Sequence, residues 1–171
     1  MGARRLLTIN TGSSSLKAAL YRLREGVAET PEFRAEASRI GSRGGGLRLA
    51  DARGETLDER QDDLPNHTAA LDALLSRLRD RGLDRDDLAA VGHRIVHGGD
   101  RHREPQRVAP ELVADLRALV PIDPNHLPQA IAAIEAVGRA YLGLLPCGPG
   151  SEVFQHLRGH FLIRHPYFII N

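Results

Sequence analysis

Leu6-Leu7-Thr8-Ile9-Asn10-Thr11-Gly12-Ser13-Ser14-Ser15-Leu16-Lys17-Ala18-Ala19-Leu20 is the stretch that sets the architecture. Leu6 to Ile9 is a short apolar run, which reads as a buried strand over Arg5 to Asn10. Thr11 to Ser14 is turn chemistry, a glycine among hydroxyl side chains that can bond their own backbone. From Ser15 to Arg22 the character alternates, with Leu16, Ala18 and Leu20 set against Lys17, Ala19 and Tyr21. A period of two predicts a second strand, and the short polar loop predicts that the two form a hairpin.

Outward from this hairpin, Phe33 to Ile40 and Leu47 to Ala50 are further strand candidates, separated by a glycine-rich turn over Gly41 to Gly46. Gly54 is placed to close another hairpin, with Glu55 to Arg60 returning. Asn66 is a helix N-cap candidate; Ala69, Leu71, Leu74, Leu75 and Leu78 follow at helical spacing, and Gly82 sits at the C-terminal cap. Leu88 to Val96 reads as a strand. Pro110 opens a second helix carrying Leu112, Val113, Leu116 and Leu119, and Pro121 closes it. Asn125 to Ala140 makes a third helix with Ile131, Ile134 and Val137 inward. Strands first, then helices alternating with a strand, predict a mixed α/β domain.

Composition narrows the function classes. The 171 residues suffice for one domain or a little over half of a two-domain enzyme. A formal net charge of +1, with arginines scattered among acids, gives no basic footprint for nucleic acid. No apolar run has the length of a membrane span, and Leu6 to Ile9 is too short for a secretory core. Cys147 is the single cysteine, so no internal disulfide can form, and cytoplasm is the expected compartment. Of 23 basic residues Lys17 is the only lysine. An ammonium is a compact point charge where arginine is a planar fork, so this position reads as one that needs an ammonium.

Two stretches carry chemistry. The Asn10 to Lys17 loop offers backbone N–H groups around Gly12 and hydroxyls on Ser13, Ser14 and Ser15 to an anion, with a full positive charge on Lys17. Asn10 supplies an amide oxygen, a hard ligand suited to Mg²⁺ or its water shell. The same residues would also make an ordinary polar hairpin, and the Walker A spacing is absent. In Gly92-His93-Arg94-Ile95-Val96-His97-Gly98-Gly99, one arginine stands in an apolar strand. Such a guanidinium either pairs with an anion in bidentate fashion or carries its long stem to water at an edge. His93 and His97 are four apart without a third ligand, a weak metal signal.

Ile9 to Lys17 resembles the N-terminal signature N-x-G-S-S-S-x-K of acetate kinases, and Gly92 to Gly99 is similar to their G-H-R-x-V-H-G-G segment in all its fixed letters. The resemblance, which extends over Arg5 to about Ala140, implies the acetokinase branch of the actin-like ATPase superfamily. It implies a ribonuclease H-like N-terminal lobe, a mixed sheet with flanking helices, and no second lobe. By resemblance Asn10 helps hold Mg²⁺, Gly12, Ser13, Ser15 and Lys17 lie at the nucleotide phosphates, and Arg94 binds the carboxylate substrate. The implied reaction converts ATP and acetate to ADP and acetyl phosphate; alternatives are a propionate or butyrate kinase, or a non-catalytic phosphate-binding remnant. The implied partners are ATP and acetate or another short carboxylate.

Two departures bound that inference. Where the family has P-L-H-N-P, this chain has Pro121-Ile122-Asp123-Pro124-Asn125-His126, so the histidine's role is not carried over. Beyond residue 140 the family continues to an F-D-T-A-F-H motif with a catalytic aspartate. Here residues 141–171 hold five of the seven aromatics and one acid, Glu152, and no such motif. The expected organisation is therefore a lobe over residues 1–140 and a divergent tail over 141–171, frameshifted or truncated. The chain alone is expected to be an incomplete, inactive phosphotransferase. Family members run to roughly twice this length or more with two lobes. Their homodimer forms chiefly through the second lobe and is not implied for this chain. An isolated first lobe is also expected to expose apolar surface.

Overall fold

The computed structural model describes residues 4–23, 27–102, 106–140 and 167–170, the last by backbone. The elements run β1 (Arg5–Thr11), β2 (Ser15–Arg22), β3 (Phe33–Ser38), β4 (Gly46–Asp51), β5 (Thr56–Gln61), α1 (His67–Asp80), β6 (Leu88–Arg94), α2 (Pro110–Ala118), α3 (Leu127–Ala140) and β7 (Tyr167–Ile170). One sheet holds all seven strands in the order β5-β4-β3-β2-β1-β6-β7. β1 to β5 form an antiparallel meander. β6 joins β1 in parallel and β7 joins β6 antiparallel, which makes the sheet mixed.

The period of two decides which face is covered. Leu7 and Ile9 of β1, Leu16, Ala18 and Leu20 of β2, Ala35 and Ala37 of β3, and Leu47 and Leu49 of β4 all belong to one buried cluster. α1 packs over β2, β3 and β4, α3 over β1 and β6, and the two helices touch each other. Leu71, Leu74, Leu75 and Leu78 of α1 and Ile131, Ile134 and Val137 of α3 complete the same core. The described helices that pack on the sheet thus cover one face, and the intervening positions of each strand form an opposite face.

Local chemistry explains the element ends. Asn66 Oδ1 accepts from the Ala69 N–H at 2.9 Å and caps α1. At its other end the N–H groups of Gly82 and Leu83 reach the carbonyls of Arg79 and Leu78, and Gly82 takes φ +80°, the left-handed turn that only glycine makes at no cost. Arg77 of α1 reaches Asp58 at 2.6 Å and Asp62 at 2.9 Å, tying the helix to the outer strand β5.

Some boundaries differ from those expected. β6 stops at Arg94, because its pairing with β1 runs out at Asn10; Ile95 turns into the core and Val96 is exposed. α3 begins at Leu127, two residues late, after a turn in which the Asp123 carbonyl accepts from Leu127 and Pro128 takes a first-turn position that needs no N–H. Among the described residues the exposed large hydrophobics are Leu57 on β5, Val96 in the bend after β6 and Ile122 in the turn between α2 and α3. No helix among the described residues is long and apolar enough to cross a membrane. The expected tail over residues 141–171 lies outside the described residues except for the backbone of 167–170.

Candidate anion site on the open sheet face

Register brings the site together. Asn10 stands opposite Lys17 in the antiparallel pairing of β1 with β2, and opposite Arg94 in the parallel pairing of β1 with β6. Lys17 in turn faces Glu36 on β3, and Glu36 faces Arg48 on β4. Residues in one cross-strand row share a face, so Arg48, Glu36, Lys17, Asn10 and Arg94 line up on the side away from α1 and α3. Neighbouring strands lie about 4.8 Å apart, which puts Lys17 and Arg94 about 10 Å from each other across Asn10.

The row floors an open cavity of about 330 Å³ lined by Thr8, Asn10, Lys17, Arg34, Glu36 and Arg94, among others. Among the described residues four cations line it, Lys17, Arg34, Arg48 and Arg94, against one acid, Glu36. Such a surplus on a concave surface concentrates anions. Lys17 Nζ lies 3.5 Å from the Glu36 carboxylate, and both are largely exposed. Arg94 is half-buried; its Nη1 lies 3.4 Å from Asn10 Oδ1, and its buried Nε has no hydrogen-bond partner among the described residues. A guanidinium edge held in this way is an unfilled donor for a carboxylate or phosphate.

The serine turn sits beyond the strand ends and does not line that cavity. The Gly12 N–H is spent inside the turn on the Ser15 carbonyl at 2.8 Å, and a Cβ at Gly12 would stand 2.8 Å from Ser15 Oγ. Ser13 and Ser14 are exposed at the tip and Ser15 is half-buried. The Ser14 carbonyl accepts from the Ile40 N–H at 3.0 Å, and the Gly12 carbonyl accepts from His67 Nε2 at 2.7 Å.

His93 alternates with Arg94 and faces the helices. Its complete burial pushes the imidazole pKa down to about 3, so it is neutral, and Nε2 lacks a partner among the described residues. His97 accepts from the Gly99 N–H at 3.1 Å and shapes the turn after β6. No group of three or more His, Cys, Asp or Glu among the described residues could hold a metal ion. Asn10 offers a single neutral oxygen between two cations. That fits a Mg²⁺ ion only when phosphate oxygens and water complete its shell. Asp123 and His126 bond each other at 2.7 Å ahead of α3, and neither lines the cavity.

The family model of the acetokinase family matches residues 5–148. The chain belongs to the acetokinase family. It is 35% identical over 157 residues to the acetate kinase of Streptomyces coelicolor, covering 91% of this chain and 37% of that protein. It is 36% identical over 155 residues to that of Thermotoga maritima, covering 88% and 36%. The crystal structure of Porphyromonas gingivalis acetate kinase superposes with a TM-score of 0.74 at 25% identity, over 98% of this chain and 37% of that one. A propionate kinase from Francisella tularensis superposes with a TM-score of 0.72 at 16% identity, a likeness of fold. This chain therefore spans a little over a third of the length of these relatives, and the α/β lobe expected from the sequence is the part they share with it.

Glu36, Arg34 and Arg48 at the cavity and His67 behind the turn belong to no motif in the sequence. The alternation within β3 places Arg34 and Glu36 on one face, but which face meets Lys17 depends on register across a connection that includes residues 24–26. No local pattern links His67 to Gly12, fifty-five positions away.

Proposed function

We propose that this chain carries the phosphate- and carboxylate-binding face of an acetate kinase-type phosphotransferase. The observation that supports the reading most is the row Lys17, Asn10 and Arg94, three neighbouring strands contributing one side chain each to a cationic cavity. Acetate is already an anion at neutral pH, so its oxygen can attack the terminal phosphorus of ATP without a general base. One P–O bond forms to acetate, one breaks to ADP, and acetyl phosphate results. What the protein must supply is positioning and neutralisation of charge.

In this reading the Arg94 fork holds the carboxylate and the incoming phosphoryl oxygens, and Lys17 holds phosphate once it exchanges Glu36 for the ligand. Ser13 and Ser15 face the nucleotide phosphates from the turn. Asn10 would be one ligand to a Mg²⁺ that arrives with the nucleotide and neutralises phosphate charge when bound. The reaction belongs to the cytoplasm, given the single cysteine and the ATP it consumes. Among the described residues the one acid at the cavity, Glu36, is engaged with Lys17, which supports a lobe that binds but is incomplete as a catalyst by itself.

Titration calorimetry with acetyl phosphate tests the reading. Saturable binding by the native chain, weakened about tenfold or more in Arg94→Ala and in Lys17→Ala, is expected. No saturable binding by a chain shown to be folded overturns it. Hydroxamate formation from ATP, acetate and hydroxylamine by the 171-residue chain would overturn the incompleteness alone.

A further inference from the structure

His67 is the first residue of α1, and it is buried. Its Nε2 lies 2.7 Å from the Gly12 carbonyl oxygen. A carbonyl can only accept, so Nε2 carries the proton and the imidazole donates. In a two-residue hairpin loop that carbonyl would ordinarily accept from the N–H of the residue three positions on, here Ser15. It bonds His67 instead, while the reciprocal bond, Gly12 N–H to Ser15 carbonyl, is kept at 2.8 Å. The Ile40 N–H holds the Ser14 carbonyl at 3.0 Å, and the Gly41 N–H holds the Leu64 carbonyl at 2.8 Å, just ahead of α1. Two of the turn's carbonyls are thus drawn off by the body of the domain. The Ser13 and Ser14 N–H groups at the exposed tip enter no hydrogen bond among the described residues.

Drawing carbonyl oxygens away from a turn while leaving successive N–H groups free converts a self-satisfied hairpin into a partially positive concavity for an anion. We propose that His67 is a positioning residue for the Gly12–Ser15 turn, holding the Gly12 carbonyl back so that the Ser13 and Ser14 N–H groups meet phosphate. This rests on the phosphate reading given above and adds to it the group that shapes the turn. His67 touches no ligand and acts through Gly12.

The test uses the full chain, inorganic pyrophosphate as probe, and two substitutions. His67→Gln keeps a donor at the reach of Nε2; His67→Leu keeps the volume and removes the donor. Binding is measured by calorimetry, and amide hydrogen exchange is followed at Ser13 to Ser15 without ligand. The expected result is pyrophosphate affinity about tenfold weaker in His67→Leu, the loss of one hydrogen bond, and restored to within about threefold in His67→Gln. Exchange at Ser13 to Ser15 should shift in His67→Leu and return in His67→Gln. A general loss of stability would lower the melting temperature of both variants and would not be rescued by the glutamine alone. A folded His67→Leu chain that binds as the native chain does, or a His67→Gln chain no better than His67→Leu, overturns the role of His67. A native chain that binds no pyrophosphate, with Lys17→Ala equally silent, overturns the phosphate reading and this inference with it.

Discussion

Asn10 and Arg94 stand opposite each other in the parallel pairing of β1 and β6, with Arg94 Nη1 3.4 Å from Asn10 Oδ1. This contact, long for a hydrogen bond, leaves the guanidinium largely uncommitted, and its Nε has no partner among the described residues. A donor array held half-buried and unfilled is more useful to a ligand than to the fold.

Arg94→Ala should therefore cost little stability and much binding. The expected loss for acetyl phosphate is about 2 kcal/mol, the value of a charge-assisted hydrogen bond, with the urea midpoint nearly unchanged. Arg94→Lys should recover only part of it, because a point charge cannot replace a fork. Calorimetry beside urea denaturation checks both halves; a large stability loss in Arg94→Ala would mean a structural arginine.

Glu36 competes with any anion for Lys17, whose Nζ it meets at 3.5 Å. Glu36→Gln should tighten pyrophosphate binding about threefold at low salt, since an exposed ion pair of this kind holds a cation only weakly. The gain should disappear near 1 M salt, where the screening length shrinks to about 3 Å. Weaker binding in Glu36→Gln would show that the carboxylate orients Lys17 instead of occupying it.

His93 gives the acid limb of the stability curve. Its folded pKa is lowered to about 3 by burial from an ordinary value of 6.5. Between those values the unfolded chain binds a proton that the folded chain does not. The contribution is fully present above about pH 6.5 and is lost as pH falls toward 3, at about 1.4 kcal/mol per pH unit. His93→Leu, which removes an unpartnered polar atom, should flatten this limb; urea titrations of both proteins from pH 7 to pH 4 check it. Parallel curves would place the acid sensitivity elsewhere.

Gly98 is held to glycine by space. A Cβ there would collide with the backbone carbonyl of His102, which closes the loop after β6. Gly98→Ala should destabilise by roughly 1–3 kcal/mol, as overpacking does, and displace the loop. By contrast a Cβ at Gly138 meets nothing within 4 Å among the described residues, so Gly138→Ala in α3 should be neutral or stabilising. Thermal unfolding of the pair separates the two cases.

The elements and three members of the site row, Asn10, Lys17 and Arg94, are legible in the chain itself. The switch from period two to period 3.6 marks five strands followed by a helix at Asn66. The motifs around Asn10, Lys17 and Arg94 name the chemistry, because side-chain type and local spacing are properties of the chain. Which side chains meet is a property of the folded domain. That Asn10 pairs with Lys17 on one side and Arg94 on the other follows from strand register over eighty-four positions. That Glu36 and Arg48 join the same row follows from two more hairpins. That His67 reaches Gly12 follows from where α1 lands on the sheet. Long-range register and helix docking are set by how the whole core packs, and no window of sequence contains that packing.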